Sequence, residues 1–486
     1  MGRTLRRWSM VPAVVALLLL AGCASTHGLK PHAAMTGVDS LQADRALAGA
    51  SVDAGAWPAQ NWWTRFGDSQ LDRLIGEALA GSPSLQLALS RARQASALAD
   101  EAASARSPRV DSSLSATRER FPVNGLVPPP FAGGWATFDQ LQATLSWDID
   151  FWGKNRAAFE QALGQARAAA VDAQAARLAL SVDVAHAYVE LMRAYMQLDV
   201  AQATVEERDT VFALTRDRNA AGIDSRLELK QAEAAVPAAR EQVAQLNETI
   251  ALTRNQIAAL LGQGPDRGLS IERPAAMASA DAVVPSRVPS QLLGRRPDIV
   301  AQRWRVEAAR RGIDVAQTQF YPDVNLTAFV GFQSLGTSSF LSLSNREVGV
   351  GPALSLPLFD AGRRRANLAA ADAQYDGAVE QYNQTLSNAL REVVDQLSSF
   401  RSVSQQRIEQ EHALAASRDA YDLAVLRYRE GIGNYLQVLS AEAPLLAQES
   451  LQVDLRARAL DVSINLVRAL GGGLEEASTP LASATP

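Results

Sequence analysis

The stretch Gly222-Ile-Asp-Ser-Arg-Leu-Glu-Leu-Lys-Gln-Ala-Glu233 decides the fold, because it recurs as Gly431-Ile-Gly-Asn-Tyr-Leu-Gln-Val-Leu-Ser-Ala-Glu442. Gly222 and Gly431 suit the left-handed conformation that ends a helix. Residues that can cap the next helix follow each glycine: Ser225 and Glu228 as a capping box, and Asn434 and Gln437 as its polar analogue. The sequence therefore predicts two antiparallel helical hairpins with tight polar turns.

Long proline-free segments lead into both turns, at residues 154–219 and 363–429, and they are rich in strong helix formers. Their apolar residues recur in steps of four and three, which is coiled-coil spacing. The two seams consist of Leu178, Val182, Ala185, Val189, Met192 and Met196, and of Leu386, Leu390, Val393, Leu397 and Phe400. We expect these helices to pack along those seams.

The similarity extends well beyond the turns, so the chain is predicted to be an internal tandem repeat. Each copy is expected to contain a helix, two strands, a long helix, a turn and a return helix. We place the first repeat at 57–262, a connector at 263–295, the second repeat at 296–472 and a flexible C-terminal tail at 473–486.

Each copy holds two segments in which apolar and polar residues alternate, which predicts four strands, the first of them the weakest. Strands of about ten residues fit a tilted transmembrane β-strand, although the alternation also fits a half-buried strand of a soluble sheet. Because four strands cannot close a barrel and open edges are not tolerated in lipid, a lipid-facing sheet requires association with further copies. The predicted lipid-facing residues are Leu141, Leu145, Trp147, Val324, Leu326, Val330, Val350 and Leu354.

The N-terminus has the form of a lipoprotein signal peptide over residues 1–22, with three arginines before a short apolar run. Leu20-Ala21-Gly22-Cys23 resembles a bacterial lipobox, and Cys23 is the single cysteine of the chain. We expect a covalent lipid on Cys23, since several acyl chains give stable anchoring. Residues 23–56 are then a lipidated N-terminal tether, because they are rich in Gly, Ala, Ser and Asp.

The composition argues against several other classes of protein. One cysteine and four histidines leave little for a metal site, and the sequence lacks a Walker loop, a nucleophile elbow and a dinucleotide fingerprint. We therefore predict no enzyme activity, no metal and no cofactor apart from the lipid. A formal net charge of −5 with mixed signs predicts no nucleic-acid partner.

Three motifs together resemble the outer-membrane efflux lipoproteins of the TolC superfamily, specifically the NodT-type channels of resistance–nodulation–division pumps. They are Trp62-Trp63-x-x-Phe66-x-Asp68-x-x-Leu71, Leu292-Leu293-Gly294-Arg295-Arg296-Pro297-Asp298-Ile299, and the first turn pattern from Gly222 to Glu233. The resemblance implies a mainly α protein with transmembrane β structure. Its trimer would form a 12-stranded β-barrel, with four strands per chain, continuous with a long antiparallel α-helical barrel.

The resemblance also implies a function and partners. The protein would be an outer-membrane, lipid-anchored channel that extends into the periplasm and passively conducts drugs or other toxic small molecules. A periplasmic adaptor would dock at the hairpin tips, and an inner-membrane pump would supply the energy. Residues 263–295, with 57–70 and the chain end, would form an equatorial belt.

By the same resemblance, charged and polar residues near the tips hold the periplasmic entrance closed. The residues that match this role are Arg218, Asp224 and Arg226 on the first hairpin, and Arg427, Tyr428 and Glu430 on the second. Gln437 and Ser440 stand where some relatives have constricting aspartates.

Two alternatives stay open at this level. One is an outer-membrane duct for type I protein secretion. The other is a lipid-anchored periplasmic coiled-coil adaptor whose strands form a small soluble domain.

Overall fold

The computed structural model describes residues 26, 28–37, 40, 41, 45, 57–275, 277, 294–357 and 359–474. The signal peptide, Cys23 and residues 475–486 lie outside this part of the chain. The α-helices are α1 (Ser69–Gly81), α2 (Pro83–Ser104), α3 (Lys154–Ala220), α4 (Arg226–Leu260), the single turn α5 (Asp266–Leu269), α6 (Pro297–Thr318), α7 (Arg363–Arg429) and α8 (Tyr435–Ala469). The strands are β1 (Arg109–Arg120), β2 (Trp135–Asp148), β3 (Asp323–Leu335) and β4 (Arg346–Ser355).

The two predicted hairpins are α3–α4 and α7–α8, and they match in length. The long helices α3 and α7 each have 67 residues, and the return helices α4 and α8 each have 35. Most seam residues are buried, among them Val182 and Val189 on α3 and Leu386 and Val393 on α7. Among the described helices, none combines the length and the apolar character needed to cross a bilayer.

The chain forms two compact units, and each takes segments from both repeats. The first comprises Met1–Met35, Ala92–Ala169 and Gln302–Tyr382, and it contains the sheet. The second comprises Thr36–Arg91, Ala170–Ala301 and Asn383–Pro486, and it contains both hairpin turns. The duplication in sequence is therefore not a division into two independent bodies.

The core of the second unit explains the Trp-Trp motif. Trp62, Trp63 and Phe66 are buried, with ring centroids of Trp62 and Phe66 6.1 Å apart in an edge-to-face arrangement. The indole Nε1 of Trp62 donates to Ser181 Oγ at 3.3 Å. Asp68 caps α1 by accepting from Gln70 N and Leu71 N. This motif is thus structural: it joins the start of the second unit to α3.

The sheet is an antiparallel meander in the order β1-β2-β3-β4. Directly opposed residues share a face of a sheet, so the register shows which side chains lie together. Leu145 is opposite Val110 and Ala328, and Ala328 is opposite Val350. The alternating apolar residues of all four strands therefore lie on one face, and Gln142 and Asn325 lie on the other.

Part of the predicted tether is docked on α7 rather than free. The backbone N–H groups of His32 and Ala33 both donate to Asp376 Oδ1 at 2.9 Å. Leu29 packs against a buried cluster that includes Phe320 and Leu368. Composition does not reveal this contact, because the acceptor is a side chain far away in the sequence. We call residues 28–37 the docked segment.

The predicted tail begins at Gly473, but this residue is part of the second unit. A Cβ atom at Gly473 would lie 2.3 Å from the carbonyl carbon of Ala59, so the two backbones are in close contact. Only a residue without a side chain fits there. The rest of the predicted tail, from residue 475, is outside the described residues.

Candidate functional site: the hairpin tips and the sheet face

Both hairpin turns have the same backbone design. Gly222 and Gly431 have φ values of 76° and 77°, in the left-handed region where a side chain would be strained. The Ser225 N–H donates to Glu228 Oε2 at 2.6 Å, which is one half of a capping box. At the second turn Asn434 Oδ1 accepts from Gln437 N at 3.0 Å. The turns therefore lie where the sequence predicts them.

A buried polar network joins the two tips. The Arg218 guanidinium holds the Asp224 carboxylate with two hydrogen bonds of 3.0 and 3.2 Å. Its third nitrogen donates to the backbone oxygen of Tyr428 at 2.9 Å. The Tyr428 hydroxyl donates to Asp224 Oδ2 at 2.5 Å and shares a 2.9 Å contact with the Thr215 hydroxyl. One hairpin thus supplies the ion pair, and the other supplies the tyrosine.

This network is shielded from solvent, which strengthens each of its bonds. The side chains of Arg218 and Asp224 are 10% and 4% exposed, and Tyr428 is fully buried. Arg218 also lies over the Tyr428 ring, with 4.5 Å between the guanidinium carbon and the ring centroid. Burial, together with the hydrogen bond to Asp224, raises the pKa of Tyr428 to about 12, so the hydroxyl stays a donor.

A second ion pair lies further from the turns, between α3 and the return helices. Arg208 Nε donates to Glu442 Oε1 at 2.7 Å, and Arg208 Nη1 donates to the Ala235 carbonyl at 3.1 Å. Ala235 belongs to α4 and Glu442 belongs to α8. A single arginine on α3 therefore contacts both return helices.

The other three predicted tip residues are placed differently. Arg226, Arg427 and Glu430 are exposed at the ends of their helices, whereas Asp224 and Tyr428 are buried between the hairpins and Arg218 is half-buried. The charge pattern alone does not distinguish the exposed tip residues from those in the network. The residues of the network come from three separate positions in the sequence: the end of α3, the turn before α4 and the end of α7. Sequence analysis did not identify Thr215 and Arg208, because no motif distinguishes them from the other polar residues of α3.

Large apolar side chains are exposed beside the same turns. Ile223 and Leu227 are 63% and 67% exposed, and the equivalent Ile432 and Leu436 are 69% and 66% exposed. Exposed apolar side chains that cluster at one end of a protein commonly mark an interaction surface. The tips therefore combine a buried polar network with an apolar outer surface.

On the sheet, the eight residues predicted to face lipid share the apolar face. Val330, Val350 and Leu354 are 56%, 77% and 72% exposed in the single chain. The other five are half-buried, and they are Leu141, Leu145, Trp147, Val324 and Leu326. The register brings all eight together, so this face is a continuous apolar surface.

The Arg-Arg-Pro-Asp element also has a structural role. Arg296 is 7% exposed and donates to Asp298 at 2.6 Å, to Glu392 at 2.8 Å and to the Ala469 carbonyl at 3.2 Å. One buried guanidinium thus ties the start of α6 to α7 and to the end of α8. The first part of the connector is held in the same unit, where Arg267 donates to both carboxylate oxygens of Glu77 at 3.0 Å. Leu292 and Leu293 lie outside the described residues.

The described residues hold no group of three or more His, Cys, Asp or Glu side chains with the geometry of a metal site. The polar networks above consist of arginine, carboxylate and tyrosine groups that bond to one another. The two features that can contact other molecules are the apolar face of the sheet and the bonded pair of hairpin tips.

Comparison with known proteins identifies the family. The family model described as outer membrane efflux protein matches residues 74–263 and 288–472, once for each repeat. The fusaric acid resistance protein FusA of Burkholderia cepacia is 43% identical over 368 residues, which is 74% of this chain and 69% of FusA. The multidrug resistance outer membrane protein MdtQ of Escherichia coli O157:H7 is 32% identical over 96% of this chain and 99% of MdtQ.

A solved structure agrees with the sequence comparison. The outer membrane protein VceC of Vibrio cholerae superimposes with a TM-score of 0.81 and 39% identity, over 86% of this chain and all of VceC. The double match of the family model also confirms the tandem repeat. The chain therefore belongs to the outer membrane efflux protein family and is an outer-membrane efflux channel of the TolC superfamily that extends into the periplasm.

Proposed function

We propose that three copies of this efflux channel assemble into the exit duct of a tripartite pump, with a periplasmic adaptor and an inner-membrane pump of the resistance–nodulation–division class. The twelve strands would close a barrel, and the helical hairpins would close a tunnel. Transport through the duct is passive, because the inner-membrane pump supplies the energy. We propose no catalytic activity for this chain. The cargo would be toxic small molecules, as the names of FusA and MdtQ suggest for those relatives.

The observation that carries this proposal is the sheet with one apolar face and two edge strands. Each of β1 and β4 has a single neighbour within the described chain. All residues of β1 are exposed, as are most of those of β4. In lipid, unpaired backbone groups are too costly to persist, so each β1 must pair with another strand. Pairing β1 of one copy with β4 of the next satisfies both edges and closes the ring.

The tips supply the adaptor site. The exposed pairs Ile223 and Leu227, and Ile432 and Leu436, occupy equivalent positions of the two hairpins. A trimer would present six such pairs, so a partner that repeats around the same axis could contact all of them alike. An apolar contact of this kind supplies affinity, and the exposed Arg226, Arg427 and Glu430 would orient it.

The buried tip network would hold the entrance closed. The Arg218–Asp224 ion pair lies on the first hairpin and Tyr428 on the second, so separating the hairpins breaks the hydrogen bonds that join Tyr428 to this ion pair. An adaptor opens the entrance only if it binds the separated hairpins more tightly than the joined ones.

We expect Asp224→Ala to raise single-channel conductance in planar bilayers, because it removes the acceptor of the Tyr428 hydroxyl. Asp217→Ala, which replaces an exposed aspartate, serves as the matched control. Equal conductance of the two variants would show that the network does not hold the entrance closed.

The lipid on Cys23 is part of the same proposal. Several acyl chains would anchor the N-terminus to the membrane in which the sheet lies. Mass spectrometry of the mature N-terminal peptide tests this directly, and an unmodified cysteine would contradict it.

The central experiment compares the two faces of the sheet. An arginine on the lipid face costs about 2–4 kcal/mol at mid-bilayer, whereas one facing the lumen is tolerated. We expect Leu145→Arg and Leu326→Arg to abolish heat-modifiable trimers in outer membranes. Gln142→Arg and Asn325→Arg should assemble normally. Equal effects on both faces would overturn the barrel.

A deletion strain separates efflux from type I secretion. Loss of the gene should sensitise cells to toxic small molecules and leave protein secretion intact. Loss of a secreted protein with unchanged resistance would favour the secretion duct.

A further inference from the structure

Charged residues at one end of the sheet are sorted between its two faces. This end carries the hairpin loops 121–134 and 336–345, and neither loop contains a charged residue. The charges lie in the strands instead, as Arg118-Glu119-Arg120 at the end of β1 and Arg346-Glu347 at the start of β4. Successive residues of a strand point to opposite faces of the sheet. The three arginines therefore share one face, and the two glutamates share the other.

The arginines lie on the apolar face. Leu141 of that face is opposite both Leu114 and Phe332. Arg118 is four residues after Leu114 in the same strand, and Arg346 is opposite Phe332. Even spacing along a strand keeps these side chains on the face that is proposed to contact lipid. All residues of β1 are exposed, and so is Arg346.

The arginines keep most of their hydrogen-bonding capacity for a ligand. Arg120 Nε donates to the Gly133 carbonyl at 3.3 Å. Within the described part of the chain, no carboxylate forms an ion pair with Arg118, Arg120 or Arg346. Asp139 is the acid that shares the apolar face at this end, but it is 4% exposed. The charge that this end of the face presents to its surroundings is therefore positive.

The proposed trimer would bring the three arginines together. β1 and β4 are the edge strands, and three successive antiparallel pairings make them run in opposite directions. Pairing β1 of one copy with β4 of the next would place Arg118 and Arg120 beside the neighbour's Arg346. Like charges on adjacent strands destabilise the pairing unless an anion lies between them. Each of the three seams would thus form an anion site to which two copies contribute.

The place of the seam in the membrane identifies the anion. Helices α2, α3, α6 and α7 adjoin the opposite end of the sheet, so the loop end faces away from the periplasm in the proposed barrel. The outer leaflet of an outer membrane contains lipopolysaccharide, and its lipid A part carries phosphate groups. Arginine binds phosphate with two parallel hydrogen bonds, which makes it well suited to this ligand.

We propose that Arg118 and Arg120 of one copy, with Arg346 of the next, bind the phosphate groups of one lipid A molecule at each seam. The bound lipid neutralises charges from both copies and so stabilises their pairing. This inference rests on the proposed lipid-facing barrel.

Native mass spectrometry of the purified full-length trimer would measure this binding. The lipids to add are bisphosphorylated lipid A, dephosphorylated lipid A and phosphatidylglycerol, after detergent exchange to remove co-purified lipid. The test variant combines Arg118→Gln, Arg120→Gln and Arg346→Gln. The matched control combines Glu119→Gln with Glu347→Gln, because it removes charge from the same end of the sheet but from the opposite face.

We expect the wild type and the control to bind bisphosphorylated lipid A alike, and to bind the other two lipids far more weakly. A basic residue near a membrane surface contributes about a fivefold gain in affinity for anionic lipid. The triple variant should therefore bind bisphosphorylated lipid A about a hundredfold more weakly. If the triple variant does not form trimers, Arg346→Gln alone should weaken binding about fivefold.

The outcomes separate this site from the function beneath it. Unchanged lipid A binding by triple-variant trimers would overturn the site and leave the barrel intact. Equal binding of lipid A and phosphatidylglycerol by the wild type would show a general affinity for anionic lipid and would also overturn the site. If the wild type forms no trimer in outer membranes, the proposed barrel itself fails.

Discussion

The two hairpins have identical helix lengths, yet they bond differently at equivalent positions. On the first hairpin Arg218 and Asp224 form a buried ion pair. At the matching positions of the second, Arg427 is exposed and Gly433 carries no acid. The second hairpin contributes Tyr428 instead, where the first has Asn219. Duplication thus kept the backbone and the caps, while the ionic contacts became complementary between the copies.

Equivalent positions of the two copies also make different contacts away from the tips. Arg296 precedes α6 and bonds to Glu392 on α7, but the matching residue before α2 is Ser82, which bonds to Ser84 Oγ at 3.0 Å. Asp376 on α7 receives the docked segment, whereas the matching Arg167 on α3 lies over the Trp304 ring at 4.5 Å. Each copy therefore makes contacts that the other copy lacks.

The largest effect is expected from a matched pair of arginines at the tips. Arg218→Ala leaves Asp224 buried without its cation, and removing one partner of a buried pair costs about 3–5 kcal/mol. Arg427→Ala, at the equivalent exposed position, should change stability by less than about 0.5 kcal/mol. Hydrogen exchange of the amides around Gly222 and Gly431 would measure both. Similar exchange in the two variants would show that the tips are not specialised.

A smaller difference is expected at the starts of α2 and α6. Arg296→Met removes a guanidinium that serves two carboxylates and a carbonyl, and because Glu392 and Asp298 are partly exposed we expect about 2–3 kcal/mol. Ser82→Ala should cost about 1 kcal/mol or less, since it loses one neutral hydrogen bond. Thermal unfolding of the purified protein in detergent compares the two. A larger shift for Ser82→Ala would contradict the assigned role of Arg296.

The helix caps should behave alike in the two copies. Ser225→Ala and Asn434→Ala each remove an N-cap side chain, which typically costs about 1 kcal/mol. We expect equal increases in exchange rate at the first amides of α4 and α8. Clearly different increases in exchange rate would mean that the two turns pack differently despite their similar sequences.

The smallest expected effect is a pH dependence of stability, which arises from His186 in the first copy and has no equivalent in the second. His186 Nδ1 lies 2.6 Å from Asp461 Oδ1, and its Nε2 lies 3.2 Å from Asn465. Burial opposes the charged imidazole, but the hydrogen bond to Asp461 and the field of that carboxylate outweigh it, so the pKa of His186 is raised. A raised pKa stabilises the folded state below the unfolded pKa of about 6.5, and this contribution disappears as the pH rises through the folded pKa.

The wild type should therefore gain more in unfolding temperature between pH 8 and pH 6 than His186→Gln does. The equivalent residue on α7 is Asp395, which pairs with Arg391 at 2.8 Å. Asp395→Asn is the control and should leave this pH difference unchanged. If His186→Gln retains the full pH difference, another group is responsible for it.

Local patterns predicted much of this fold. The alternation of apolar residues located all four strands, and the Gly and capping residues located both turns, because these signals depend on neighbours in the chain. The burial of Asp224 and Tyr428 could not be predicted in this way, since they meet from different hairpins. The docking of residues 28–37 was missed for the same reason: Asp376 lies far away in the sequence.

The equal lengths of the paired helices restrict how this gene can change. One residue inserted between Tyr188 and Arg218 turns every later side chain of α3 by about 100° and moves it by about 1.5 Å along the axis. Arg218 would then leave Tyr428, although no contact residue had been altered. Point substitutions can accumulate along these helices one at a time, whereas a codon gained or lost in one copy requires a matching gain or loss in the other.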